Sequence, residues 1–575
     1  MIKSRLAYIQ NLFTSFKLGS FGFLNCTQFL GAMNDNIYKL LIVYCFIAIE
    51  GKEASNKILS SVGAIYVLPF LFLSSTAGTM ADRFSKRSII VVVKLVECCV
   101  MILGLIAFYL GSKLLAFGAL FLLACHSAVF APCKYGIVPE IVSSDRISRA
   151  NGILTSCTYS AIIVGTFLAS FLTDISGHNF ILASLATIIF AAFGFYFSLG
   201  IPKTAPSGSE KKISPRFITE LIINLKLIYR QPTLLTAVLG SAFFLFVGSY
   251  TQLNMIPFAL EALGLSDVQG GYLFLLTALG IGAGSLLAGK LSGKSVELGF
   301  VPFGGYGIAA CCILLSLFQN HIAVEIAFIT LIGVFGGMYL VPLDSYIQLA
   351  SPKTIRGQVI ATTNFLGFCG VLLSAGMLYF LSEILEIRAA NGFFVVGIMT
   401  FVFVTGITIA ISGYVTRFFY MLISRFKCRA IVHGKSNLDG HAPAVFFSTL
   451  PSWPWSAILT GSQSRRMRLF VLNDTHIALP WYKRLLRRFS LKKEVHSVQE
   501  LAPTSKVGKI ILNAIQRGTS VAIFLPPHYA EQIRSLKAEW QHHLPVAFFS
   551  FKQKAIHFPD GYPPQKLYEA EMTQL

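Results

Sequence analysis

Gly78-Thr-Met-Ala-Asp82-Arg83-Phe-Ser85-Lys86-Arg87 is the stretch on which the reading of this chain turns. It is a short charged turn between two long apolar runs, near 58–80 and 88–111. A membrane-crossing helix needs about 20 mostly apolar residues, and both runs meet that length. Further runs of the same kind lie near 21–49, 114–138, 151–174, 178–200, 234–260, 268–291, 295–317, 321–349, 359–383 and 391–420, giving twelve in all. Composition agrees: of 575 residues, 54% are hydrophobic and 13% charged, with mean hydropathy +0.67. Soluble proteins carry roughly 25% charged residues, so a soluble enzyme or a disordered chain is excluded. Fifty Phe and 47 Gly suit lipid-facing helices that pack through small residues.

The formal charge of +21 reads first as a topology signal. Lys3, Arg5, Lys17, Arg83, Lys86, Arg87, Lys134, Arg146, Arg149, Lys290, Lys294, Lys353, Arg356 and the 201–233 linker fall on one side, against Lys52, Lys57, Lys113 and Arg388 on the other. Basic loops stay cytoplasmic, so both termini of this multi-pass membrane protein are expected there. The same excess attracts anionic lipid. No nucleic-acid motif accompanies it, and no nucleic-acid partner is expected. The 11 cysteines lie mostly in apolar stretches without a C-x-x-C, so neither a metal site nor a cofactor is expected. No signal peptide is expected either, since the first apolar run carries Asp35 and Lys39.

Residues 201–233 begin as a Pro/Ser/Gly/Lys linker and continue as a basic amphipathic segment over 213–229, suited to a membrane face. They divide the spans into 1–200 and 234–420. The halves echo each other: Ala131-Pro132-x-x-Tyr135 precedes Asn151, and Val341-Pro342-x-x-x-Tyr346 precedes Asn364. A 6+6 repeat with a cytoplasmic middle loop describes a transporter whose substrate site lies between the halves. The expected fold class is therefore an all-α polytopic membrane protein with a C-terminal cytoplasmic α/β domain over 421–575. In that tail, β-like runs (444–447, 469–472, 521–524) alternate with helical ones (481–489, 506–517), and all four tryptophans fall there.

Residues 78–87 resemble the G-x-x-x-D-R-x-G-R-R signature of the major facilitator superfamily, with Ser85 at the second glycine. The resemblance implies the 12-helix major facilitator fold and makes Gly78, Asp82, Arg83 and Arg87 gate residues on the cytoplasmic side. Gly78 allows close helix approach, and Asp82 suits a neighbouring helix N-terminus. The second-half counterpart, 285–294, has lost the acid and leaves packing and Lys290.

Ionisable residues inside spans are costly and are candidates for function. Asp35 and Lys39 are spaced to pair along the first span, or Asp35 faces the central cavity as a headgroup or cation contact with Asn36 beside it. Lys94 and Glu97 pose the same choice and are read as a structural pair. Gln252, Asn254 and Asp344 are polar sites in the second half.

Gln28-Phe-Leu-Gly-Ala-Met-Asn34-Asp35-Asn36 resembles the first-helix motif of the bacterial lysophospholipid transporter family. So do Pro132-Cys-Lys134-Tyr135-Gly136-Ile137-x-x-Glu140 with Ala150-Asn151-Gly152, and Val341-Pro342-Leu343 with Gln348, Arg356-Gly357 and Asn364. Members flip lysophospholipids, notably lysophosphatidylethanolamine, from the outer to the inner leaflet. The resemblance puts Asp35 and Asn36 on the substrate pathway and Lys134 with Glu140 at the cytoplasmic gate; Gln28, Gln252, Asn254 and Asp344 are further pathway candidates, and Arg356 a further gate candidate. The seventh span carries no arginine for a phosphate, only Gln252 and Asn254. Another amphiphile, metabolite or drug, moved with or without a proton, is the alternative cargo.

The tail resembles a glycerophospholipid acyltransferase in Trp481–Leu486 and Gly518–Phe524. Active members need His-x4-Asp, because an oriented histidine deprotonates the attacking hydroxyl. Here Pro451 and Ser456 stand in those places, and Leu525-Pro-Pro-His528 replaces the glycerophosphate-binding F-P-E-G. His433 with Asp439, and Asp474 with His476, do not restore the spacing. The tail is expected to be inactive, which argues against a bifunctional transporter-acyltransferase. Lys483 to Phe489 reads as a basic amphipathic helix. A separate acyltransferase or acyl carrier protein is the partner considered.

Overall fold

The computed structural model describes residues 19–211, 217–293, 295–318, 321–426, 431–433, 444–448, 467–472, 492–495, 498–516, 520–524, 539–540, 547–553 and 569–574. They form two compact units, one running to Val296 and resuming over Val301–Ala410, the other comprising Glu297–Phe300 and the chain from Ile411.

Among the described residues, twelve helices are long and apolar enough to cross a membrane. The first six spans are Ser20–Glu50, Ser55–Arg83, Lys86–Tyr109, Lys113–Ile141, Ile147–Ile175 and Phe180–Leu199. The second six are Pro232–Leu263, Asp267–Leu291, Phe300–Leu317, Ile322–Ala350, Arg356–Tyr379 and Ala389–Ala410. Local chemistry sets many ends. Ser85 and Ser112 cap the third and fourth spans, and Ser266 closes a capping box with Gln269 on the eighth. Pro232 stands at the first turn of the seventh, and Gly264 ends it in the left-handed region at φ 63°. Ser85, at φ −60° and ψ 121°, needs none of glycine's freedom, which accounts for the departure from the superfamily pattern.

Two boundaries correct the sequence reading. The twelfth span, expected to reach 420, ends at Ala410, and Ser412–Phe426 is a separate helix of the second unit. Ser412-Gly413 interrupts the apolar run, and Arg417 is buried in an ion pair with Glu297. The ninth span begins at Phe300, not 295, because residues 295–299 form a bend and turn before the helix starts. The linker helix spans Phe217–Tyr229, with Ile218, Ile222 and Ile223 exposed and Asn224 buried, as a helix on an apolar surface requires.

The eighth and tenth spans meet through two G-x-x-x-G pairs that the sequence reading missed, Gly280/Gly284 and Gly333/Gly337. A Cβ at Gly284 would stand 1.9 Å from the Val334 carbonyl oxygen, and one at Gly333 would stand 2.1 Å from that of Thr277. Backbones can come this close only where both faces lack side chains.

In the second unit, seven strands form one sheet in the order β1-β7-β6-β2-β5-β3-β4. They are β1 (Ile431–His433), β2 (Ala444–Ser448), β3 (Met467–Leu472), β4 (Lys492–Val495), β5 (Ser520–Phe524), β6 (Ala547–Gln553) and β7 (Glu569–Gln574). All pairs are parallel except β6 with β7. The expected runs at 444–447, 469–472 and 521–524 are strands, and 506–516 is a helix whose Val507, Ile511 and Ile515 are buried. Trp540 donates to the Leu501 carbonyl at 3.0 Å within that core. Residues 481–489, Pro451, Ser456, Asp439, Asp474, His476 and 525–528 lie outside the described residues.

Gly284→Val is expected to destabilise the transport unit by about 1–3 kcal/mol or more through overpacking. Gly63→Val, in open space, is expected to leave it unchanged. Thermal unfolding of the purified variants in detergent checks both.

Candidate functional site

The halves close on each other at the end carrying the basic loops. The tight turn Phe84-Ser85 brings Asp82 to the start of the eleventh span. There its carboxylate accepts from the backbone N–H groups of Gly357 at 2.6 Å and Gln358 at 3.0 Å, and from Gln358 Nε2 at 3.2 Å. A carboxylate on unpaired amides at a helix N-terminus is a charge-assisted contact reinforced by the helix dipole. Gly78 makes it possible, since a Cβ there would lie 2.7 Å from that of Ala361.

The fifth and eighth spans form the second seam of the same closure. Gly152 lies against the Ser285 carbonyl, and Gly289 against Ser148 and Arg149, while Lys290 points to the exterior. Above them Asn151 and Gln348 exchange two amide hydrogen bonds at 3.0 and 2.9 Å, and Asn151 also donates to Ser345. Two motifs read separately in the sequence thus form one buried contact between the halves.

Basic side chains lace this end together. Lys86, fully buried, donates to Glu140 and to linker Ser207, both at 2.6 Å. Lys211 donates to Gln358 at 2.6 Å and pairs with Glu220. Arg87 donates to the carbonyls of Leu199 and Ile201 at the C-terminus of the sixth span. Arg356 is 7% exposed beside the charges of Glu140 and Asp82, and Arg83 is exposed over the Phe84 ring.

Several of the expected pathway residues make hydrogen bonds within or between helices. Gln28 bridges the first and fifth spans through Leu154 and Thr158. Asn36 donates to its own helix at Ala32, away from Asp35. Asn254 donates to the Ala389 carbonyl at 2.8 Å, tying the seventh span to the twelfth, and Gln252 is exposed. Asp35 does not pair with Lys39. Its Oδ2 accepts from Ser127 at 2.7 Å and Tyr66 at 3.2 Å, while the Lys39 ammonium sits 4.3 Å from the Tyr66 ring centroid. Lys94 and Glu97 do pair, at 2.5 Å.

Lys134 also moves from its expected place. Glu140 is taken by Lys86. Lys134, about 9 Å along the helix from it, lies over the Tyr135 ring and interacts electrostatically with Asp344, Asp35 and Lys94. Asp344 accepts from Ser241 at 3.1 Å and lines a cavity of about 90 Å³ with Tyr135, Gln348, Thr363 and Asn364. A cation of the first half therefore interacts with the second-half carboxylate that lines this cavity. Tyr66, Ser127 and Lys86 were absent from the residues the sequence nominated, because only the tertiary contacts reveal their roles.

The sequence profile of the Major Facilitator Superfamily matches residues 24–375 and 239–419. The chain is 26% identical over 365 residues to the lysophospholipid transporter LplT of Serratia proteamaculans, covering 61% of this chain and 86% of that protein. It is 28% identical over 358 residues to LplT of Cronobacter sakazakii, covering 61% and 85%. Solved structures of similar fold include the E. coli fucose:proton symporter FucP and the human organic anion transporter MFSD10. Each has a TM-score of 0.55 at 14% identity over 67% of this chain, spanning 98% and 99% of theirs.

Lys86→Met leaves Glu140 without its cation and is expected to weaken the closure by about 3–5 kcal/mol. Lys86→Met/Glu140→Gln is expected to recover part of it. Labelling of a cysteine placed at Ser148, from the side of the basic loops, checks the order: the single variant labels fastest.

Proposed function

Because the chain belongs to the Major Facilitator Superfamily, we propose that it is a membrane transporter for lysophospholipid, flipping lysophosphatidylethanolamine from the outer to the inner leaflet of a bacterial inner membrane. The observation carrying this reading is the electrostatic interaction of Lys134, from the first half, with Asp344, which lines a cavity between the halves, in a chain related to lysophospholipid transporters along its transport unit. A zwitterionic headgroup offers a phosphate for Lys134 and an ammonium for Asp344. Lys134 supplies the phosphate cation that the seventh span lacks, and it comes from the fourth. The acyl chain stays among the apolar walls and lipid.

In this reading the basic end is cytoplasmic and the termini lie there, following the loop charges. Opening that end requires Asp82 to leave the eleventh span, the Asn151–Gln348 pair to part and the Lys211 contact with Gln358 to release. The acyltransferase-like tail is an inactive module, because Pro451 cannot accept a proton where the chemistry needs histidine. Partners of the tail are a membrane surface or a separate acyltransferase or acyl carrier protein.

Spheroplasts lacking their own transporter are expected to take up labelled lysophosphatidylethanolamine when they express this chain. Lys134→Gln should reduce uptake about tenfold or more, the loss of one charge-assisted contact of about 1.5–3 kcal/mol. Asp344→Asn should reduce uptake of lysophosphatidylethanolamine more than that of lysophosphatidylglycerol, which has no amine. Well-expressed wild type that takes up neither lipid would overturn the reading. Purified full-length chain is expected to transfer no acyl group to lysophospholipid, and measurable transfer would overturn the inactive tail.

A further inference from the structure

The proposed transport function does not use a chain of polar groups in the first half, buried at Lys94, Glu97, His126 and Asp35. Lys94 and Glu97 are both 1% exposed, and Glu97 Oε1 accepts from Asn34 at 3.2 Å. His126 stands next, with Nε2 3.1 Å from Glu97 Oε2. On its other side Nδ1 lies 3.2 Å from the Leu123 carbonyl oxygen and 3.3 Å from Ser127 Oγ. Ser127 donates onward to Asp35, whose Oδ1 has no hydrogen-bond partner among the described residues. Four spans contribute to the line from Lys94 to Tyr66, in which the step between Glu97 and His126 is a close charge contact, not an aligned hydrogen bond.

Counting protons along this line is informative. Ser127 has one hydroxyl proton, committed to Asp35 at 2.7 Å. The Leu123 carbonyl can only accept. Both neighbours of Nδ1 therefore call for a proton on it. Nε2 lies 3.1 Å from Glu97 Oε2, a charge contact that a second ring proton favours although no hydrogen bond is aligned there. An imidazolium would set two cations, Lys94 and His126, beside two carboxylates, Glu97 and Asp35, with Lys39 facing the same cluster. Removing one imidazole proton breaks the pattern. Either Nε2 presents a lone pair to Glu97, or Ser127 turns from Asp35 to Nδ1 and releases the carboxylate on the first span.

The other charged and titratable groups facing the cluster come from each element packed on it. Lys39 lies over Tyr66, and Lys134 shares the fourth span with His126. Cys98 contacts the Lys94 carbonyl from the third span. Phe130 covers both His126 and Lys94, and the sixth span presents Gly194 to Lys94.

We propose that His126–Ser127–Asp35 is a proton-binding site of the transport cycle, loaded while the basic end is closed and discharged when the halves rearrange, so that cargo movement is linked to movement of one proton. In the discharge an N–H bond of the imidazolium breaks, the electron pair stays on nitrogen, and water accepts the proton. The linkage rests on the proposed transport function, whereas the proton site rests on geometry alone.

The test uses the full chain reconstituted in phosphatidylethanolamine–phosphatidylglycerol vesicles. Without cargo, infrared difference spectra across about pH 5 to 8, where histidine titrates, should show imidazole and carboxyl bands changing together. His126→Gln should abolish both changes and Asp35→Asn the carboxyl change. Ser127→Ala, which cuts the line without removing a titratable group, should leave the imidazole band and remove its effect on the carboxyl. With labelled lysophosphatidylethanolamine, a gradient of one pH unit should change accumulation about tenfold for one linked proton, and His126→Gln should erase that dependence. Titrating bands together with failed lysolipid uptake would support the proton site and overturn the cargo assignment. Uptake indifferent to the gradient and to His126→Gln, or spectra with no titrating band lost in any variant, would overturn the proton proposal and leave the cargo assignment standing.

Discussion

The closed form of this transporter hangs on one carboxylate. Asp82, on the last turn of the second span, holds the first two amides behind Arg356 on the eleventh. The bond is affordable because both components are prearranged. A two-residue turn fixes Asp82 in place, and the free N–H groups at a helix start have no competing partner within the helix. It forms only because Gly78 and Gly357 let the backbones touch. The remaining basic-end contacts, Lys86 with Glu140 and Lys211 with Gln358, brace a junction already set by that geometry.

A closed basic end gives the interior its meaning. Polar groups in the spans fall into two sets. Gln28, Asn151, Asn254 and Gln348 are spent on helix–helix hydrogen bonds, where leaving them unpaired in apolar surroundings would be costly. Lys134, Asp344 and the line from Lys94 to Asp35 are charged groups concentrated around the space between the halves or just behind it. Insertion costs of roughly 2.5–3.5 kcal/mol per charge make such concentration hard to explain by packing alone.

Most of the architecture was legible in the sequence, because a span is a composition and length signal that tertiary contacts do not alter. Errors came where the apolar run outlasted the helix, as at 411–420, where a turn at Ile411 ends the twelfth span and a new helix starts at Ser412. Sites were less legible. Periodicity placed Asp35 and Lys39 four residues apart, yet Ser127 and Tyr66 from other spans compete for the same carboxylate and win it. Lys134 and Glu140 share a motif, but Lys86 from a different helix takes Glu140, and Lys134 interacts instead with Asp344. His126 gave no signal, since a lone histidine in an apolar run reads as core. The seam at Gly280, Gly284, Gly333 and Gly337 was readable as G-x-x-x-G and was passed over.

Transport by this chain requires the basic end to open between the fifth and eighth spans. A Cβ at Gly282 would lie 3.4 Å from Ser156 Oγ and 3.9 Å from its Cα, within reach of a disulfide. The most direct measurement is lysophosphatidylethanolamine uptake by a Ser156→Cys/Gly282→Cys chain whose native cysteines are replaced by alanine. The account predicts that oxidation stops uptake and that reduction restores it. Full uptake by the oxidised, cross-linked protein would contradict it.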